Sequence, residues 1–276
     1  ETNRALTACV HRVLEAQGLD VAAAALLEDR AAVDELLGLE RGVDLVIARG
    51  GSEFVRYVRS RARMPVLAHA DGLCHLYLHG PVDEAMAARI AVDAKCSYPA
   101  ACNSIETLLW EPGAAGALDA CVAALREAGV ELRADEATRA RHPSLARATE
   151  ADWDTEYGAL VLSVACVSGL DAALAHIARH GSRHTEAIVT RDAQAAERFL
   201  REVDAGSVFH NASTRFADGY RYGLGAEVGI STEKLHARGP VGVEGLLTYR
   251  WLLRGEGQVA SAYGPGGRRF THRDLP

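Results

Sequence analysis

The sequence predicts an α/β fold built on a parallel sheet, and three observations carry that prediction. Short apolar runs alternate with stretches of helical spacing over most of the chain. Glycine turns lead from a run straight into a helix, as at Arg49-Gly50-Gly51-Ser52, which is the connection of a βαβ unit. The chain has 276 residues, 49% apolar and 24% charged, enough for a real core in one large or two modest domains.

Residues 2–17 have helical spacing: Leu6, Val10, Val13 and Leu14 share a face, and Gly18 stands where a helix ends. A second helical pattern covers 31–39 and stops near Gly42. Residues 43–48 read as a buried strand, followed by the glycine turn and a helix over 53–61. Strands are expected at 65–68 and 73–78, then a helix at 83–95. Strand, helix and strand follow at 105–110, 114–128 and 130–133. The polar stretch 135–152, with Pro143, reads as a surface excursion. Strands at 161–167, 187–190 and 207–210 enclose helices at 171–180 and 193–203. Residues 211–245 are rich in Gly, Ser, Thr and Arg, and so long a loop-dominated segment is usually functional. A late strand is expected at 248–253, and the tail from Gly264 reads as loose.

The formal charge is −7, which argues against a nucleic-acid binder. The longest unbroken apolar stretch, 21–27, falls far short of the roughly 20 residues of a spanning helix. No basic-then-apolar signal opens the chain, and the six cysteines are sparse and irregularly spaced, so a reducing cytoplasm is expected. The opening Glu1-Thr2-Asn3-Arg4, without Met, reads as if cut from something longer.

Cys102 is the first candidate for chemistry. It lies in Tyr98-Pro99-Ala100-Ala101-Cys102-Asn103-Ser104, a stretch that suggests a tight, accessible turn. A nucleophilic thiolate and a buried small residue are both open readings. Cys9, Cys121 and Cys166 fall in helix or strand patterns and read as core. Cys74, His75, His79, Cys96 and Cys102 lack the spacing of a structural zinc site, and no metal is expected. Residues 223–229 look like a dinucleotide fingerprint without matching its spacing; a loop around a substrate fits them equally. The turn at 49–52 has the right context for a phosphate at a helix N-terminus, or is an ordinary turn. Arg215, Lys234, His236 and Arg238 read as an anion pocket or as solvated charge. His69 and Asp71 face a cleft or only shape a turn.

Four strings bring a family into view: HADGLCHLYL (69–78), DAKCSYPAACNSIETLL (93–109), VFHNASTRFADGYRYGLGAEVGIST (208–232) and HARGPVGVEGLLTYRWLLRG (236–255). With them the chain, to about residue 262, resembles the γ-glutamyl phosphate reductases of the aldehyde dehydrogenase superfamily. It is most similar to the reductase half of bifunctional pyrroline-5-carboxylate synthetases. The resemblance implies an aldehyde dehydrogenase-like fold: a partial Rossmann-type cofactor domain followed by an α/β catalytic domain. On it, residues 1–95 are the C-terminal half of the cofactor domain, 96–245 the catalytic domain, and 246–276 a C-terminal strand and tail used in oligomerisation. It implies NADPH-dependent reduction of L-glutamyl 5-phosphate to glutamate 5-semialdehyde, the second step of proline biosynthesis.

The resemblance also implies roles. Cys102 is the nucleophile that forms a thioester, with its own N–H helping to hold the oxyanion. Glu1 aligns with a residue touching the adenosine ribose; Gly50, Gly51 and Ser52 match the pyrophosphate turn; Glu156 matches the ligand of the nicotinamide ribose. Asn103, Asn211, Ser213, Thr214, Arg215, Gly225, Ser231 and Thr232 match substrate loops, and His236 and Arg238 bind an anion or shape a loop. Hydrolytic relatives carry a general-base glutamate in ELGGK, where this chain has LAHADG, which suits exchange with phosphate rather than water. Glutamate 5-kinase, separate or fused, is the implied partner, and a homo-oligomer the implied state. The family's chain is longer at its N-terminus, so this chain alone is expected to be inactive or poorly folded. A different semialdehyde dehydrogenase, or a truncated paralogue that only binds ligand, is the alternative.

Overall fold

Runs of apolar side chains become central parallel strands where both faces can be covered, and this condition decides which predicted elements appear. The computed structural model describes residues 1–69, 71–235 and 237–271. They fall into two compact units, Glu1–Leu246 and a C-terminal unit beginning at Leu247.

Helix α1 (Thr2–Ala16) ends as its sequence predicts, with Gly18 at φ +68°. It buries none of its residues, and Leu6, Val10 and Val13 stay exposed. Helix α2 (Arg30–Leu37) starts at Asp29, whose carboxylate accepts from the Ala31 N–H. Strand β1 (Val46–Ile47), helix α3 (Ser52–Arg61) and strand β2 (Val66–Leu67) then form one parallel unit. Its small core is Leu37, Ala48, Val55, Val58 and Ala68. The strand expected over 43–48 shrinks to two residues because only Val46 and Ile47 find ladder partners, Val66 and Leu67.

The rest of the first unit is a seven-stranded sheet. In chain order it holds β3 (Cys74–Leu78), α4 (Glu84–Cys96), β4 (Ile105–Trp110), α5 (Ala115–Glu127), β5 (Glu131–Ala134), α6 (Glu136–Arg141), β6 (Ala146–Arg147), β7 (Val161–Cys166), α7 (Leu170–His180), β8 (Thr185–Val189), α8 (Ala193–Glu202) and β9 (Ser207–His210). The strand order is β6-β5-β7-β4-β3-β8-β9, with every pairing parallel. Strands β3, β4 and β8 are buried along their whole length. Alternation decides which side each residue faces. Leu76, Leu78 and Leu108 pack with α4 and α5, while Tyr77, Leu109 and Ile188 pack with α7 and α8. Each such leucine contributes about 1.5–3 kcal/mol of burial. The stretch 135–152 is more ordered than its polarity suggests: it forms α6 and the edge strand β6.

After β9 the chain is irregular apart from the antiparallel pair β10 (Gly229–Ser231) and β11 (Gly239–Val241). In the second unit, residues 248–253 form no strand; they have no ladder partner, and Trp251 and Leu253 are almost fully exposed. No helix among the described residues is long and apolar enough to cross a membrane.

Candidate active site

The sheet order places β4, β3 and β8 side by side, and their amino ends collect residues far apart in sequence. Cys102 precedes β4, Gly72 precedes β3 and His184 precedes β8. Each follows from a turn that re-enters a central strand.

Cys102 is half-buried. Its loop is folded by Ala101 N–H to Tyr98 O (3.1 Å) and Ser104 N–H to Ala101 O (2.8 Å). The Asn103 amide donates to Ala217 O at 2.9 Å, anchoring the loop to the segment after β9. Gly72 packs on Cys102: a Cβ there would stand 2.4 Å from Cys102 O. Only glycine permits that approach. The Cys74 thiol donates to the same Cys102 carbonyl at 3.3 Å.

Burial pushes the Cys102 thiol above its ordinary value, and the carboxylates of Glu156 and Glu227 push the same way. Its own backbone N–H and the Arg215 guanidinium pull it down. The Glu156 loop is tied in place on both sides. Tyr157 shares a 2.8 Å hydrogen bond with Ser163 of β7, and the Gly158 N–H reaches Glu106 Oε1 at 3.3 Å. Glu106 in turn forms a 2.6 Å pair with Lys95, both almost wholly buried. Burial raises the Glu106 carboxyl to about 7 and lowers the Lys95 ammonium.

The cofactor residues fall in two places. Gly50, Gly51 and Ser52 form the N-terminus of α3, and the space beside Gly51 is open. The Ser52 hydroxyl donates to Asp71, joining this turn to the Gly72 turn against Cys102. An open helix N-terminus fits a pyrophosphate, and Glu156 beside Cys102 fits a ribose hydroxyl, so these residues suit a nicotinamide dinucleotide. Glu1 caps α1 with its carbonyl and is exposed.

The residues expected to bind substrate divide. Arg215 stays with the nucleophile loop: its Nε donates to Ser97 Oγ at 3.1 Å, and its guanidinium lies 5.9 Å from the Tyr98 ring centroid. Ser213 accepts from the Arg215 N–H, and Thr214 is buried with its hydroxyl unpartnered. Ser231 and Thr232 run beside residues 68–69: the Thr232 N–H reaches Ala68 O at 3.4 Å. Gly225 lies in the turn-rich loop before β10, at φ +77°. That loop is not the strand–turn–helix that a dinucleotide fingerprint needs.

The remaining candidates lie elsewhere. Asn211, expected in the substrate pocket, lies at the carboxyl end of the sheet, opposite Cys102. Its amide is locked on the Thr190 backbone, accepting at 3.0 Å and donating at 2.9 Å. Lys234 and Arg238 do not join Arg215 in one anion pocket; both pair with Asp204, at 2.9 and 2.8 Å. His236 lies outside the described residues. The loose set of Cys74, His75, His79 and Cys96 also separates, since His75 binds buried Glu186 at 2.9 Å and His79 binds Thr190. Sequence reasoning missed Gly72, His184 and the Lys95–Glu106 pair. A polar or small residue just ahead of a mostly apolar run was the available signal for the first two.

This parallel sheet, with a half-buried cysteine on the turn into a central strand and an open helix N-terminus tied to it, has the aldehyde dehydrogenase-like fold. The acetylating aldehyde dehydrogenase of Geobacillus thermoglucosidasius shares that fold at TM-score 0.60 and 19% identity, covering 84% of this chain and 61% of that one. The gamma-glutamyl phosphate reductase of Synechococcus sp. strain JA-3-3Ab is 62% identical over 251 residues, 90% of this chain and 55% of the relative. The crystal structure of gamma-glutamyl phosphate reductase from Thermotoga maritima superposes at TM-score 0.89 with 38% identity, covering 93% of this chain and 63% of that one. No family model matches. The chain is thus homologous to the gamma-glutamyl phosphate reductases over nearly all its residues, and it spans 55–63% of the length of the curated relatives it matches.

Proposed function

We propose that the chain carries the thioester-forming site of a reductase that converts L-glutamyl 5-phosphate to L-glutamate 5-semialdehyde and phosphate. The placement of Cys102 supports this reading most directly: a half-buried thiol held between Gly72, Cys74 and the Glu156 loop, with Arg215 as its nearby cation.

Cys102 Sγ attacks the acyl carbon of the acyl phosphate. The carbon–oxygen bond to phosphate breaks, the oxygen keeps the electron pair, and the phosphate takes up the proton the thiol gives. The Cys102 N–H stabilises negative charge on the attacked carbonyl. Arg215, the cation that lowers the Cys102 thiol, carries a planar fork that suits a phosphate. Asp71, the carboxylate of the LAHADG turn, is held by Ser52. That turn carries no glutamate, which suits exchange of the thioester with phosphate rather than water. Gly50, Gly51, Ser52 and Glu156 would hold a nicotinamide dinucleotide, NADPH on this reading, which when bound would supply hydride to the thioester carbon; the carbon–sulfur bond then breaks, the aldehyde leaves and Cys102 Sγ takes back a proton. A glutamate 5-kinase, separate or fused, supplies the acyl phosphate, and the setting is the cytoplasm.

The test runs the reaction backward, following NADPH formation from glutamate 5-semialdehyde, NADP and phosphate. The reading expects dependence on phosphate and a loss of about 10⁴-fold or more in Cys102→Ala. Turnover that continues without phosphate overturns it in favour of a hydrolytic semialdehyde dehydrogenase. Nucleotide binding without turnover in any condition favours a ligand-binding paralogue.

A further inference from the structure

Cys102 shares its end of the sheet with two imidazoles. His69 sits on the turn before Gly72, and His184 follows Arg183, whose backbone is left-handed at φ 62°. One ligand atom each from His69, Cys102 and His184 lie within 4.8 Å of one another. The two rings meet edge to face, centroids 5.5 Å apart. His184 is 2% exposed; its Nδ1 bonds Thr185 Oγ1 at 2.8 Å, and its Nε2 is buried with no partner. An unpaired buried polar atom is destabilising, so its retention needs a reason.

Two imidazole nitrogens and a thiolate are the donor set of a borderline-soft divalent cation. Tetrahedral Zn²⁺ bonds of about 2.0–2.3 Å put its donors roughly 3.5 Å apart, so the three groups need to close by about 1 Å. His69 and Cys102 stand on turns and are partly exposed, which gives both the movement and an entry path. We propose that His69, Cys102 and His184 form a binding site for a Zn²⁺-class cation, seated directly on the nucleophile. On binding, the Cys102 thiol releases its proton to solvent and a metal–sulfur bond forms. The histidines donate lone pairs while neutral, and no oxidation state changes. The fourth position stays open to water. The metal occupies the thiolate lone pair, so alkylation and acylation of Cys102 stop until the ion is removed. The site rests on the geometry of the cluster and is independent of which acyl group the enzyme uses.

The experiment uses the full chain, with Co²⁺ as a spectroscopic probe and Zn²⁺ as competitor. One equivalent of Co²⁺ is expected to give a thiolate-to-metal charge-transfer band that Zn²⁺ bleaches and that Cys102→Ala lacks. Zn²⁺ is also expected to slow iodoacetamide labelling of Cys102, read by peptide mass spectrometry, and EDTA to restore it. Exposed Cys9 serves as the internal control and keeps its rate. His184→Gln and His69→Gln should each weaken protection by about 10-fold or more. Should His184→Gln not fold, His69→Gln and the charge-transfer band carry the test alone. Absence of the band, equal protection of Cys9, or protection unchanged in the folded histidine variants overturns the proposal.

Discussion

The two ends of the seven-stranded sheet are both rich in polar side chains, yet they differ in how those groups are satisfied. At the carboxyl end, Glu111 accepts from the Tyr77 hydroxyl (2.7 Å) and the Gly80 N–H (3.0 Å). Thr190 is bound by His79, His210 and Asn211. At the amino end, His184 Nε2, Asn103 Oδ1, Thr214 Oγ1 and Ser231 Oγ are buried without partners. Buried polar atoms are usually paired. The saturated end therefore locks the strands together, and the amino end keeps spare donors and acceptors. Open parallel sheets usually bind at their carboxyl ends. Here the candidate site sits at the opposite end, because the turns entering β3, β4 and β8 bring Gly72, Cys102 and His184 together.

The largest expected effect beyond loss of Cys102 itself is on the ion pair under the site. Lys95→Met leaves Glu106 buried without its partner and should cost about 3–5 kcal/mol, read by denaturant unfolding. A cost near zero would show that Glu106 is simply protonated there. Gly72→Ala comes next. Its Cβ meets the Cys102 backbone, so about 1–3 kcal/mol of stability and much of the Cys102 labelling rate should be lost together. Unchanged labelling would mean the turn does not set the nucleophile. Asn211→Ala tests the other end. It removes two bonds to Thr190 and should cost about 1–3 kcal/mol while leaving Cys102 labelling intact. A large loss of labelling there would break the division between the two ends. The smallest effect is on pH dependence. Labelling of Cys102 should follow a thiol pKa above the ordinary value near 8.5. Glu156→Gln removes a raising charge and moves the profile to lower pH, whereas Arg215→Gln removes a lowering charge and moves it up.

The legible parts of the fold were those where local pattern and tertiary burial agree. The strands at 105–110 and 207–210 appear with the bounds their apolar runs predict, because neighbours cover both faces or supply a ladder. Where neighbours are lacking, pattern misled: α1 forms but leaves Leu6 and Val13 exposed, and residues 248–253 stay irregular. In the candidate site, the tight, partly accessible turn at Cys102 was legible from its string. Its meeting with Gly72 and His184 was not, since it depends on β3 lying between β4 and β8, and register between distant strands leaves no local mark. Asn211 shows the converse, a polar residue in a suggestive string whose hydrogen bonds are spent inside the fold.

The central claim is that Cys102, at the unsaturated end, is the group that receives the acyl unit. The direct measurement offers the chain L-glutamyl 5-phosphate, generated in situ from glutamate and ATP by a glutamate kinase, with no nicotinamide cofactor, and maps the acid-quenched protein by mass. The account predicts a glutamyl group on the Cys102 peptide and none in Cys102→Ala. An unmodified Cys102 beside an acylated Cys9, or no acylated cysteine in a folded chain, would contradict it.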